Sequence, residues 1–460
     1  MADKGLLVAL SYDRDTMDLS PLGPQAAPRR SLLTEERFAA ALGLEAEEFL
    51  QVVARVRDRF ERGWVERDLY ALYRQSTDLE RYLDHHGASD NQSFALLREL
   101  LARVRWLALA NSTLIHLRGR LSVYPPTPDG WVGKRLAPEL QECLASLGAL
   151  LLRGLDGLEA EWRCRHAPWP EVEPVKLAET PPRPMLAADM LPSDVAREEA
   201  NQGEMKAAAR WAWRVQRLFD SLPRAFAEGA KDNEEADQIL REHLREAQVR
   251  ELEARAHNLQ SDYDTQIRGS QDAQEDEVLP MLRGATSQGL HLLEAATALT
   301  HLMERHENYS RIPEARASLQ KLLPWNDLRL LLVNQIAKLA YEAFEVASKQ
   351  SVGLIERLTR PSFVDLRLPE DINLHARPLS LVVRVVNHFE TPVEMEMAGQ
   401  RASAASMMSL LVLAGSHPDC RDLRFHGDER VLAALKELVF AGIGERGMDA
   451  LPQSLDFLRT

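Results

Sequence analysis

The sequence predicts a multidomain protein, with a mainly α-helical N-terminal region followed by a smaller α+β domain. Three observations carry that prediction. The chain has 460 residues, enough for about three folding units at roughly 150 residues each. Through most of the first 360 residues, apolar side chains recur at three- and four-residue steps, the period of a helix with one buried face. After Pro361 the pattern changes to alternation, the mark of a strand buried on one side.

Composition narrows the function. Hydrophobic residues make up 45% and charged residues 27% of the chain, which suits packed cores under a charged surface. The 56 basic residues against 70 acidic ones give a formal charge of -14, a poor match for a nucleic-acid backbone, which needs a basic face. Cys143, Cys164 and Cys420 are scattered and odd in number. Neither a disulfide framework nor a zinc site is expected from them, and no metal or other cofactor is indicated. Gly5 to Leu10 is a short apolar run, but Asp13, Asp15 and Asp18 follow at once. A secretory signal needs a longer apolar stretch, and no segment approaches the roughly 18 apolar residues of a membrane span. A cytoplasmic protein with no membrane insertion is expected.

Along the chain, residues 1–30 read as an extended arm rich in Pro, Asp and Ala, with one short strand at Leu6 to Leu10. A helical domain follows over 31–165. Phe38, Leu42, Leu44, Phe49, Val52, Val53 and Val56 open it at helical spacing, helices continue over 66–86 and 91–121, and another spans 136–164. The cluster Tyr124-Pro125-Pro126-Thr127-Pro128-Asp129-Gly130 is a turn. Residues 166–193 carry seven prolines between Pro168 and Pro192 and form a stiff linker. A second helical domain occupies 194–360. Asp232 and Glu235 predict a capping box, polar Ser261 to Asp276 a loop, and Asn326 to Arg360 one long amphipathic helix. These 360 residues show no chemical motif.

Beyond Pro361, Val364, Leu366 and Leu368 alternate with Asp365 and Arg367, and Val393, Met395 and Met397 with Glu394 and Glu396. Leu423 and Phe425 hint at a further strand. Helical patterns at Ala376 to Phe389, Ser406 to Leu413 and Glu429 to Phe440 separate them, giving an α+β sandwich with helices on one sheet face. The domain is assigned to 361–445, with 446–460 as a C-terminal tail.

Asn373-Leu374-His375-Ala376-Arg377-Pro378 stands where an extended segment hands over to a helix. Orphan amides and the positive dipole end there favour a neutral imidazole and welcome a phosphoryl group. Arg377 adds a fork of donors, and Pro378 is harmless in the first turn. From the residues alone two readings stand: transient phosphohistidine at His375, or a histidine that merely caps a helix.

The segment from 362 to about 445 resembles HPr, the histidine-containing phosphocarrier of the bacterial phosphoenolpyruvate:sugar phosphotransferase system. Leu374-His375-Ala376-Arg377-Pro378 matches that family's active-site string, and Gly399-Gln400-Arg401-Ala402-Ser403-Ala404-Ala405-Ser406-Met407-Met408 resembles its regulatory-serine segment. The 31-residue interval from His375 to Ser406 and the order of elements agree as well. The resemblance implies an open-faced β-sandwich, a four-stranded antiparallel sheet covered by three helices. It implies that His375 takes phosphate on Nδ1 from phosphorylated Enzyme I and passes it to an EIIA-type acceptor, with Arg377 steadying the phosphoryl group. Such a protein is a phosphocarrier rather than a turnover enzyme.

Ser406 matches the serine modified by HPr kinase, where added charge opposes an anionic partner. Ala376, Leu379, Met407, Met408 and Leu411 fall where the family docks its partners, core packing being the competing expectation for at least one of the last three. Asn373 stands where the family usually has Gly, and Asn tolerates the left-handed backbone. Leu379 replaces a small residue. Gly442, Gly444 and Gly447 open a tail past the family's usual end.

Elsewhere, His85-His86 reads as a solvated turn, and His291, Glu294, His301 and His306 as surface positions without metal spacing. Trp211 and Trp213 read as core, and Glu234 to Arg255 as a solvated helix face. The helical region is expected to bind a partner the sequence does not name. Two alternatives remain: a docking scaffold that does not transfer phosphate, and an unrecognised hydrolase or kinase, for which no glycine-rich phosphate loop or nucleophile elbow is visible.

Overall fold

The computed structural model describes residues 32–127, 129–165, 169, 207–268, 276–307 and 313–459. The 1–30 arm with its expected strand, and the 166–193 linker apart from Trp169, lie outside the described residues. Thirteen helices precede Pro361 among those described: α1 Glu35–Glu45, α2 Glu47–Arg59, α3 Glu66–His85, α4 Ala95–Arg120, α5 Ala137–Cys164, α6 Ala207–Asp220, α7 Arg224–Glu228, α8 Asn233–His243, α9 Glu246–Asp262, α10 Val278–His306, α11 Pro313–Leu322, α12 Trp325–Leu331 and α13 Lys338–Leu358. The N-terminal region is thus mainly helical, as its periodicity predicts.

Two local expectations need correction. Ser261 to Asp276 is not a loop from its start. α9 runs on as a π-type turn over Tyr263–Ile267, because Tyr263 and Ile267 are buried anchors among polar neighbours. The long helix expected over 326–360 is present as one unbroken helical run, α12 continuing into α13 through a π segment at Leu332–Ala337. Asp232 does cap α8, accepting from the amides of Glu234 and Glu235. Glu235 closes back on the amide of Lys231 instead of that of Asp232.

α10 is the hub. It is buried almost all round, Thr286, Ser287, Gln288 and Thr300 included, and packs on α4, α9 and α13, as a helix at the centre of a bundle does. A Cβ at Gly289 would fall 2.4 Å from the Phe344 ring, so only glycine lets α10 and α13 approach so closely. The helices before and after 166–193 therefore share one core. Fully buried Arg103 crosses it, donating to the carbonyls of Leu319 and His306 and lying 4.7 Å over Trp325. Those partners offset the cost of burying the charge.

The C-terminal unit runs β1 Pro361–Arg367, α14 Ala376–Phe389, β2 Glu394–Met397, β3 Gln400–Ser403, α15 Met407–Ser416, β4 Asp422–Asp428 and α16 Glu429–Phe440. Its sheet has the order β1-β4-β2-β3 and every pairing is antiparallel. Leu366 pairs with Leu423, and Met395 with Phe425. These buried side chains form the inner face, under Leu381, Val382, Val385 and Val386 of α14. The outer face carries ion pairs such as Arg424 to Asp365, 2.6 Å apart. Ala398 and Gly399, with φ of 50° and 80°, form the two-residue turn between β2 and β3 that the strand twist favours. α6 of the helical region reaches this unit: Arg217 donates to the Ala405 carbonyl at 3.4 Å, and Arg214 lies 3.8 Å from Glu390.

Among the described residues, no helix is long and apolar enough to cross a membrane.

Candidate functional site

His375 is the N-cap of α14, with extended backbone at φ -137° and ψ -173°, and its side chain makes no capping hydrogen bond. The helix-cap reading of this residue is therefore not how the imidazole is used. The ring is about half exposed, at 53%. Its Nε2 lies 3.5 Å from Glu445 Oε1, and no partner stands at Nδ1 among the described residues.

Local chemistry turns this residue outward. The first turn of α14 buries Pro378 and Leu379 in the core, leaving Ala376 and Arg377 exposed. Pro378 has no N–H, so the orphan donors of the first turn are the amides of Ala376 and Arg377. The Ser380 hydroxyl donates to the Arg377 carbonyl at 2.6 Å and tightens that turn. Arg377 forms no ion pair among the described residues, so its guanidinium is available to an anion beside His375. The combination of an unblocked ring nitrogen, helix-end amides and a free guanidinium suits reversible binding of a phosphoryl group.

The loop before His375 is fixed from a distance. Arg421, just before β4, donates to the carbonyls of Pro369 and Ile372 and, at 3.3 Å, to Asn373 Oδ1. Asn373 is not left-handed: among the described non-glycine residues, positive φ occurs at Glu390, Ala398 and Ile443. The turn works with Asn373 as an acceptor for Arg421, and needs no special backbone angle there.

Ser406 is the N-cap of α15, and its Oγ accepts from the amide of Ser409 at 3.3 Å. α14 and α15 pack together, so two of the sequence-picked residues stand at the N-cap positions of adjacent helices. Met408 is 70% exposed, whereas Met407 and Leu411 are half-buried against the core. Leu379 is a correction. It is fully buried, in phase with Val382 and Val386 on the inner face of α14, and its side chain offers nothing to a docking partner.

Glu445 escaped the sequence reading. Its carrier is the turn Gly442-Ile443-Gly444, which follows α16 with positive φ at all three residues. The remainder of the chain is not a loose tail, since Leu451, Leu455 and Leu458 are buried. The run of glycines was the visible signal, but nothing in their spacing says where the turn leads.

Other histidines meet in pairs, His116 with His291 and His301 with His306, ring centroids 4.9 and 5.6 Å apart. His291 pairs with Glu294, His301 with Glu246, and His306 with Glu99. Among the described residues no group of three or more His, Cys, Asp or Glu is set to hold a metal ion. Trp211 and Trp213 are buried core, as their spacing predicts.

Residues 365–440 match the family model described as the PTS HPr component phosphorylation site, and the region before them matches no family model. No curated protein and no solved structure matches the chain. The match runs from the end of β1 through α16, over the elements that build most of the four-stranded sheet and seat His375. The C-terminal domain is thus similar to HPr, the histidine-containing phosphocarrier of the bacterial phosphotransferase system, and this points to a phosphocarrier-type function in that system.

Proposed function

We propose that His375 accepts a phosphoryl group on Nδ1 from phosphorylated Enzyme I and passes it to an EIIA-type acceptor in the cytoplasm. The observation that carries this reading is the exposed imidazole at the mouth of α14 with its Nδ1 unpartnered among the described residues. Phosphoryl transfer between such groups asks mainly for position and compensating charge. Arg377 and the first-turn amides supply both. Ser406 is the site at which HPr kinase would add a regulatory phosphate. The helical region serves as an interaction module, and α6 touches the carrier domain through Arg214 and Arg217.

The test incubates the full chain with labelled phosphoenolpyruvate and Enzyme I. Acid-labile phosphate on wild type that is absent from His375→Ala is the expected result. Equal labelling of both proteins, or none of either, rules the carrier role out. Capture by Enzyme I without label transfer favours the docking scaffold instead.

A further inference from the structure

The Glu445 carboxylate lies 3.5 Å from His375 Nε2, and the chain goes to some length to put it there. Ile443 is fully buried and donates to the Leu438 carbonyl at 2.9 Å, while the Glu445 amide donates to Gly442 at 2.9 Å. A Cβ at Gly444 would fall 2.5 Å from Leu381 Cδ1, so the turn is pressed against the helix that starts at His375. The next residue, Arg446, reaches back to within 3.8 Å of Asp371 in the loop before His375. The turn is therefore held from both sides of the site.

We propose that Glu445 is a positioning residue for His375. Its carboxylate keeps the ring hydrogen on Nε2 and so leaves the Nδ1 lone pair for phosphorus. The inference rests on the phosphocarrier reading above and adds a second residue to it. A histidine's reactive nitrogen is set by the partner of the other nitrogen, and a carboxylate on that partner side also stabilises an imidazolium. In the transfer step, the Nδ1 lone pair forms a bond to phosphorus. The donor's bond to phosphorus breaks, with its electron pair staying on the donor. No proton leaves His375: the hydrogen on Nε2 remains, and the ring gains a positive charge that Glu445 faces. When the acceptor attacks, the Nδ1–P bond breaks and its electron pair returns to a neutral ring. Glu445 thus acts on the side of the imidazole away from the phosphoryl group.

The experiment uses the full chain with 15N-labelled histidine rings, His375 being assigned by subtraction of a His375→Gln spectrum. It compares wild type, Glu445→Gln, Glu445→Ala and Glu445→Asp at about pH 9, where imidazoles are neutral. In wild type, Nε2 carries the hydrogen. In E445Q and E445A the share of ring with hydrogen on Nδ1 rises at least twofold, and E445D restores the wild-type pattern. The rate of labelling by phosphorylated Enzyme I falls roughly tenfold in E445Q and E445A and recovers in E445D, a smaller effect than a buried triad carboxylate gives because water screens this site. A ring spectrum unchanged in E445Q overturns the inference whatever the labelling rate. A changed spectrum with an unchanged rate overturns it too. If wild type takes no label, the carrier reading falls, and the ring spectra alone decide whether Glu445 orients the imidazole.

Discussion

Phe457 lies flat on His388, the ring centroids 3.7 Å apart and the planes 7° from parallel. One residue lies in the 3-10 turn Gln453–Leu458 that follows α16 and the other near the end of α14, so the segment after α16 braces the helix whose first turn carries the site. Arg384 donates to the Phe457 carbonyl nearby. An aromatic pair of this kind contributes about 0.5–1.5 kcal/mol beyond its buried area. Phe457→Ala is expected to destabilise α14 by about 1–2 kcal/mol, and Leu455→Ala, which empties a fully buried site, by about 2–5 kcal/mol. All eight tryptophans precede Pro361, so their fluorescence does not see this event. Amide exchange of Val382 to Val386 does. Unchanged protection there in both variants would show the terminal segment to be dispensable packing.

Arg377 should affect transfer without affecting the fold. Its side chain is exposed and has no ion pair among the described residues, and substitutions at such positions stay within about ±0.5 kcal/mol. Removing one preorganised charge beside a transferring group costs about 10²–10³ in rate. Arg377→Ala is therefore expected to keep wild-type exchange protection and lose roughly 10²-fold in labelling of His375. Arg377→Lys restores the charge but not the planar fork, and recovers only part of the loss. Equal labelling of R377A and wild type would remove Arg377 from the site.

The sheet and its helices were legible because alternation and helical spacing act within a few residues. Val364, Leu366, Met395, Met397, Leu423 and Phe425 alternate with charges and do form one buried face. Leu379 shows the same rule neglected. It stands in register with Val382 and Val386, and its spacing already said core, while its place in the family's docking region argued for the surface. The contacts that finish the site were beyond local patterns. Arg421 meets Asn373 across 48 residues, and the contact of Glu445 with His375 spans still more of the domain. Leu455 and Leu458 sit in a short 3-10 turn and Leu451 just after another, and such turns give no period to read. Likewise α10 is buried nearly all round, polar residues included, so its spacing does not name its neighbours.

Ser406 carries two separable roles. As N-cap of α15 its hydroxyl satisfies the Ser409 amide, and loss of such a cap costs about 0.5–2 kcal/mol. As a modification site it would set negative charge beside exposed Met408. Ser406→Ala is expected to raise amide exchange in α15 and leave labelling of His375 within about twofold, since no docking charge changes. Ser406→Asp keeps an oxygen at the cap and adds a charge. It should preserve α15 and slow labelling roughly tenfold at low salt, the deficit shrinking as ionic strength rises. A salt-independent deficit in S406D would point to a distorted helix in place of charge.

Asp428 joins the helical region to the carrier domain and makes that junction sensitive to acid. Only 2% exposed, it accepts from the Arg360 amide at 2.8 Å where the chain leaves α13, from the Arg430 amide at the start of α16, and from the Arg430 guanidinium. Burial pushes its carboxyl up, but Arg430 and the two amides outweigh burial and hold it below the usual carboxylate range. A folded value below the unfolded one, about 3.9, means the stabilisation is complete above that pH and is lost as pH falls through the lowered folded value. Asp428→Asn keeps the shape but not the charge. It is expected to weaken the domain by about 1–3 kcal/mol at pH 6, because the half-buried Arg430 guanidinium loses its charged partner. It should also flatten the loss of stability between about pH 4 and the acid limit. Protection factors of the β1 and β4 amides, measured at pH 6, 4 and 3, report both effects. Wild type and D428N converge as the carboxylate of wild type is neutralised, and parallel curves across that range would mean that some other group sets the acid sensitivity of this junction.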